Sequence, residues 1–311
     1  EARHLDWWLA RCRRRSTGQQ WFSATWATEI NDDLDDFRAV IDRAVSTGRI
    51  DDASELLGGT IAGIFDGRHS VEVDRVLDQL ALATPEPGGR VLLAGAFNDI
   101  GIGRHVRLAE RLEAARANSR RSGDTACEAV ATTYQAFSSA NIDPGQAVAL
   151  SERGVDLARL VDDPEIVGLA LGWAGATAFI AGDHQAALRW LDEARGQSFV
   201  EPSLAHFHCL FAEAFVLLGV GDVDAAEATL DEGLHHLSQA SGTRRTVHGI
   251  KAFWHARRSD VTAIVERANE GLDNWLARGE ATHLPDAALA TCELLELAGH
   301  PQEASELCAA L

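Results

Sequence analysis

Turn signals return along this chain at a nearly constant interval, and that interval constrains the fold more than any single motif does. Residues 169–196, LALGWAGATAFIAGDHQAALRWLDEARG, read as two short helices joined at Gly182-Asp183. Neither helix could bury its apolar stripe alone, so the unit needs a neighbour. Equivalent turns fall at Gly67, Gly103, Ile142, Gly182, Gly221, Ser259 and Gly299, at intervals of 36 to 40 residues. A sustained period of this length marks stacked hairpins. Period-two alternation and β-branched or aromatic clustering are scarce, so no sheet is expected. The expected fold is all-α, a right-handed superhelical solenoid of helix-turn-helix repeats about 38–40 residues long.

Local chemistry agrees with the period. A glycine ends the first helix of a pair by taking the left-handed backbone, and the aspartate after it in Gly182-Asp183, Gly221-Asp222 and Ser259-Asp260 can cap the second helix. Seven residues before the turn stand Thr60, Ala96, Gly175, Ala214, Ala252 and Cys292; twelve after it stand Ala115, Gly154, Ala194, Gly233 and Gly271. Small side chains there let the two helices of a pair approach closely. The Ile142 unit departs, with Gln135 at the small position. Pro164 and Pro202 suit the first turn of a first helix, where a missing N–H costs nothing.

The small residues at these offsets, with GDHQAALRWLDEA carrying the Gly-Asp turn and spaced alanines, resemble the tetratricopeptide pattern over about residues 50–311. A period nearer 39 than the standard 34 is similar to the lengthened repeats of bacterial regulators. Residues 1–50 break the period: EARHLDWWLARCRRR reads as an amphipathic helix with a basic end, followed by an acidic turn and another helix. There Ile30, Asp33, Phe37, Arg38, Ala39 and Gly48, continued by Phe65 and Gly67, resemble the segment that opens the helical-repeat region of multidomain bacterial signalling ATPases, the STAND and LuxR-type transcription regulators. Asp36 stands where that pattern usually has asparagine, and His4 with Trp7-Trp8 is similar to the preceding helix. The resemblance implies two parts, a helical junction segment at 1–50 and a tetratricopeptide-like solenoid at 51–311 with its last repeat truncated.

The same resemblance implies where a ligand would bind, because in tetratricopeptide folds the first helices line a concave surface. Transferred by offset from each turn, the inward positions include Arg90, Leu93, Phe97, Thr132, Leu169, Phe179, His208, Phe211, Phe215, Thr246, Phe253 and Leu289. The set is apolar for a helix face that would meet solvent. Two arrangements fit it: an open groove for a protein, a peptide or a small-molecule effector, or a tighter superhelix that buries the face as core.

Composition excludes several classes of function. The net charge of −19, from 47 acidic and 28 basic residues, opposes binding to a phosphate backbone, so direct nucleic-acid contact is not expected. The run Arg11–Arg15 reads as an exposed helix end or domain junction. Lys251 is the single lysine and no GxxxxG precedes it, so no P-loop is present; GxSxG, HExxH and GxGxxG are also missing. No catalytic residue, cofactor or metal site is therefore expected in this segment. In AHFHCLFAE, His206, Cys209 and Glu213 share a helix face, but Cys209 falls toward the packed side. Five cysteines without a CxxC read as buried reduced thiols. No apolar run is long enough to span a bilayer and no signal-peptide order opens the chain, which points to the cytoplasm. The absence of methionine reads as a piece of a longer polypeptide. The function expected is a non-catalytic sensing domain that biases a parent regulator through its groove and its contacts with the parent's other domains. The alternatives are a constitutive protein–protein scaffold or the repeat region of a nucleotide-cyclase-linked protein.

Overall fold

Gly182, Gly221 and Gly299 take the left-handed backbone, with φ of +86°, +89° and +85°, as helix-ending glycines do. Asp183 and Asp222 then cap the next helix, their carboxylates accepting from the N–H of Ala186 at 2.9 Å and Ala225 at 3.1 Å. These details come from a computed structural model that describes residues 2–15, 21–61, 64, 70–84, 86–101, 105–199, 202–237, 247, 251, 292, 295–296 and 299–310. The chain divides into two units, Glu1–His236 and Leu237–Leu311. The turns proposed at Gly67, Gly103 and Ser259 lie outside the described residues, as do Ala252, Asp260 and Gly271.

The first unit is a succession of helices: α1 Ala2–Arg15, α2 Ala24–Asp32, α3 Leu34–Ser46, α4 Ile50–Gly58, α5 Ser70–Ala83, α6 Gly89–Gly101 and α7 His105–Ser122. It continues with α8 Thr125–Ser139, α9 Pro144–Val161, α10 Pro164–Ile180, α11 His184–Arg195, α12 Leu204–Gly219 and α13 Val223–Leu234. In the second unit α14 spans Pro301–Ala310. Among the described residues the only extended pairing is an isolated bridge between Ser23 and Ser203. The fold is an all-α helical-repeat solenoid.

Packing follows the hairpin period. Helices pair as α6 with α7, α8 with α9, α10 with α11 and α12 with α13, and the first helices α4, α6, α8, α10 and α12 also pack on one another in sequence. The small positions let each pair close. A Cβ on Gly175 would lie 2.8 Å from Leu191 Cγ and 3.2 Å from the Ala187 carbonyl oxygen, and one on Gly233 would lie 3.2 Å from Phe207. The α8–α9 pair solves its exception locally. Thr133 rather than Gln135 meets Gly154, where a Cβ would stand 2.8 Å from Thr133 Oγ1. Gln135 is half-buried and donates to Glu113 at 2.6 Å.

Pro164 occupies the first turn of α10 behind its cap, Asp163, as the sequence suggests. Pro202 does not sit in the first turn of α12. It precedes the cap Ser203, and its carbonyl accepts from Ala24 N–H at 3.1 Å. The proline is spent on a long-range contact that the repeat pattern does not encode.

The N-terminal helices pack against the start of the repeats, α1 lying on α3 and α4. Arg11 sits over the rings of Trp7, Trp8 and Trp26 at 4.9, 5.0 and 5.1 Å while its guanidinium reaches Glu29 at 2.9 Å and Asp33 at 3.2 Å. Arg13 and Arg15 pair with Glu55 and Glu29, so much of the basic run is engaged within the fold. Asp36 accepts from Trp8 Nε1 at 3.1 Å and lies 2.8 Å from His4 Nε2. Gly48, at φ +73°, ends α3.

Candidate functional site: an aromatic face on the first helices

Four successive first helices each contribute an aromatic residue to one continuous cluster. Phe97 of α6 meets Tyr134 of α8 at a centroid distance of 4.9 Å, and Tyr134 meets Trp173 of α10 at 5.6 Å. Trp173 then meets His208 and Phe211 of α12 at 5.9 and 6.1 Å. Phe97, Tyr134, Trp173 and Phe211 are 37 to 39 residues apart, so the ladder carries the period of the repeat itself. Phe97 meets Tyr134 edge-on and the later rings tilt on one another, at distances typical of favourable aromatic pairs.

A second tier lies on the same helices. Phe137 packs on Trp173 at 4.3 Å and on Phe215 at 6.1 Å, and Phe215 reaches Phe179 at 6.4 Å. Phe137 belongs to α8 and Phe215 to α12, so rings two repeats apart meet across α10. Phe179 lies so close over Gly219 that a Cβ there would fall 2.2 Å from the ring.

The residues transferred by offset divide between core and surface. Leu93, Phe97, Thr132 and Leu169 are buried, whereas Phe179, His208, Phe211 and Phe215 are half-buried and form the accessible part of the face. Arg90 is half-buried at the start of α6, bonded to Asp124 at 2.6 Å and lying 4.9 Å over Trp21. Thr246, Phe253 and Leu289 lie outside the described residues. The offsets miss Tyr134, Phe137 and Trp173. Tyr134 and Trp173 are buried at 4% exposure, and Phe137 is half-buried. Their signal was available as one aromatic per period, but a fixed offset from the turn does not capture it.

The face is electrically quiet. Burial lowers the His208 imidazole to about 3, because desolvation disfavours the charged ring; the ring is neutral at physiological pH. Tyr134 Oη lies 3.3 Å from His208 Nδ1, and burial pushes its phenol well above the ordinary value. Glu213 is bonded by Arg195 at 2.7 Å, and Glu113 by Arg116 and Gln135 at 2.8 and 2.6 Å. These bonds hold the Glu113 carboxyl below its usual range. What the arrangement offers chemically is ring stacking and apolar contact.

Other polar groups have structural duties. Asp99, fully buried on α6, receives Arg111 of α7 at 2.8 Å, and Arg111 also donates to the Gly95 carbonyl at 2.8 Å. Asn98 donates to Asp74 of α5 at 3.1 Å. This network ties three helices together, and sequence spacing gave no sign of it. His206 stacks on Phe199 at 4.3 Å and lies 4.1 Å from His236, while Cys209 donates to the Gly168 carbonyl at 3.5 Å. Among the described residues no group of three or more His, Cys, Asp or Glu side chains is placed to hold a metal ion, and no helix is long and apolar enough to cross a membrane. Cys12, Cys127, Cys209 and Cys292 are buried free thiols.

No protein-family model matches the chain, and no curated protein matches it in sequence. Among solved structures it is similar to two monomeric mutants of IFIT1, one with Gppp-AAAA and one with m7Gppp-AAAA. Both have a TM-score of 0.49, with identities of 11% and 10%, over 96% of this chain and 77% of the other.

Proposed function

We propose that this chain is a non-catalytic binding module that takes an apolar or amphipathic peptide segment, or a small-molecule effector, on the aromatic face of α8, α10 and α12. The observation that carries the reading is the half-buried set Phe137, Phe179, Phe211 and Phe215 around buried Trp173. Rings left partly in water on a helical surface offer large contact area at low entropic cost. The neutral His208 and the internally bonded Glu213 suit an occupant held by apolar and ring contacts.

The wider context of the module is the cytoplasmic sensor region of a multidomain bacterial signalling ATPase of the STAND or LuxR type. The pattern of Ile30, Asp33, Phe37, Arg38 and Gly48 supports that reading, and the −19 charge fits a parent whose nucleic-acid contacts and nucleotide site belong to other domains. An effector on the face would then act by differential affinity for two arrangements of the parent.

Peptides selected on the whole chain from a random displayed library test the face directly, with affinities measured by fluorescence polarisation. Phe211→Ala with Phe215→Ala is expected to weaken the selected peptides at least tenfold while helicity by circular dichroism is unchanged. Undiminished affinity would remove the face as the site. Global unfolding of this pair and of the milder Phe215→Leu would show the rings to be core.

A further inference from the structure

The Ser23–Ser203 bridge links the start of α2 to the start of α12. Leu204 N–H donates to the Phe22 carbonyl at 2.8 Å, and Ala24 N–H donates to the Pro202 carbonyl at 3.1 Å. Both bridging serines are also helix caps. Ser23 Oγ accepts from Trp26 N–H, and Ser203 Oγ from His206 N–H, each at 3.2 Å. The pairing therefore fixes the first turn of α2 against the first turn of α12. On the other side the segment is anchored by Trp21, buried beneath the Arg90 guanidinium that Asp124 holds. So α6 reaches the segment through the Arg90 side chain, and the bridge to α12 includes two backbone hydrogen bonds.

Helix α12 also carries His208, Phe211 and Phe215. Phe215 touches Phe137 across α10, so an occupant seated between those rings must move α12 away from α8. Ser203 and Phe215 are twelve residues apart, about 18 Å along the helix axis. An outward movement of the Phe215 end pulls against the pairing at the Ser203 end. We propose that residues 21–24 are a clasp on α12, so that occupation of the aromatic face and release of the 22–24/202–204 pairing are thermodynamically linked. This rests on the reading of the face as a binding surface. An occupant that prefers the unclasped form shifts the clasp by its difference in affinity, and unclasping raises the occupant's affinity by the same factor. The face is thereby read out at the segment between α1 and α2.

The bridge geometry supplies a lock and a release. Bonds from Leu204 to Phe22 and from Ala24 to Pro202 make Ser23 and Ser203 a non-hydrogen-bonded antiparallel pair, whose Cα atoms stand about 4.5 Å apart. A disulfide tolerates that separation. Ser23→Cys with Ser203→Cys, oxidised with oxidised glutathione, therefore locks the clasp, and a reductant reopens it. Ala24→Pro deletes one of the two bonds at the first position of α2, where proline suits a helix. Nile red, a neutral aromatic dye, serves as the probe. Its binding at the face is the part lost in Phe211→Ala with Phe215→Ala.

The oxidised double-cysteine protein is expected to bind this dye at least fivefold more weakly than the same protein reduced. Ala24→Pro is expected to bind it more tightly than the wild type, and saturating dye to speed hydrogen exchange at the Leu204 amide. Equal affinity in the locked, reduced and Ala24→Pro proteins, with the phenylalanine variant still losing the dye, would overturn the clasp and leave the face standing. Full dye binding by the phenylalanine variant would remove the face and the clasp with it. Failure of the disulfide to form would overturn the pairing itself.

Discussion

Gly175 sits on α10 directly against Leu191 and Ala187 of α11, and replacing it with alanine sets two local effects against each other. In an exposed helix interior Gly→Ala gains about 1 kcal/mol, because alanine loses less backbone freedom on folding. Here the added Cβ would lie 2.8 Å from Leu191 Cγ, 3.0 Å from Leu191 Cδ2 and 3.2 Å from the Ala187 carbonyl oxygen. Leu191 Cγ is a branch point in a buried side chain, and the carbonyl belongs to the α11 backbone, so neither yields cheaply. Overpacking of this kind costs about 1–3 kcal/mol, and two unyielding neighbours put this site at the upper end. The net expectation is a loss of about 1–2 kcal/mol. Gly145→Ala, in the first turn of α9, is the control: its nearest neighbour is Asp143 Oδ1 at 3.7 Å, so it is expected to be neutral or to gain a few tenths of a kcal/mol. Urea unfolding followed by circular dichroism and by tryptophan fluorescence measures both, the two probes together checking that one transition is being compared. A Gly175→Ala protein as stable as the wild type would refute the close-approach argument for the small positions.

His208 gives a pH signature. Its folded value near 3 lies below the ordinary histidine value, so the unfolded chain binds the extra proton, and stability present above pH 6.5 falls by up to ~1.4 kcal/mol per pH unit as pH drops toward 3. His208→Asn is expected to flatten that acid limb in urea titrations at several pH values; an unchanged slope would show that the ring is not buried neutral. Asp99→Leu leaves Arg111 without its buried carboxylate partner and is expected to cost about 3 kcal/mol, measured by the same unfolding. Adding Arg111→Met should recover much of that loss, and a strictly additive double variant would argue against the pair. Cys12, Cys127 and Cys209, whose thiols burial raises to about 12, are expected to resist Ellman's reagent at pH 8 until denaturant is added; peptide mass mapping of early labelling at any of the three would contradict their burial.

The turns, caps and close-approach glycines of the repeats were legible in the residues because each is a local device. A glycine at positive φ, an aspartate reaching an N–H three residues on, and a glycine facing its hairpin partner depend only on neighbours within one unit. Hence Gly182-Asp183, Gly221-Asp222, Gly154 and Gly175 could be assigned from spacing. The inward face could be assigned only in part, because a helix turns 100° per residue. In α8 the offset names Thr132, whose hydroxyl bonds back to the Glu128 carbonyl at 2.6 Å, while Tyr134 and Phe137, two and five positions on, join the ladder instead. An error of two residues carries a position to the opposite side. The tertiary structure alone decided that Phe137 meets Phe215 across α10, that Asp99 is neutralised by Arg111, and that Pro202 spends its carbonyl on Ala24. Those contacts depend on how steeply successive hairpins curve, a sum of side-chain volumes over several repeats. The period fixes which hairpins stack, whereas the curvature fixes which distant residues touch.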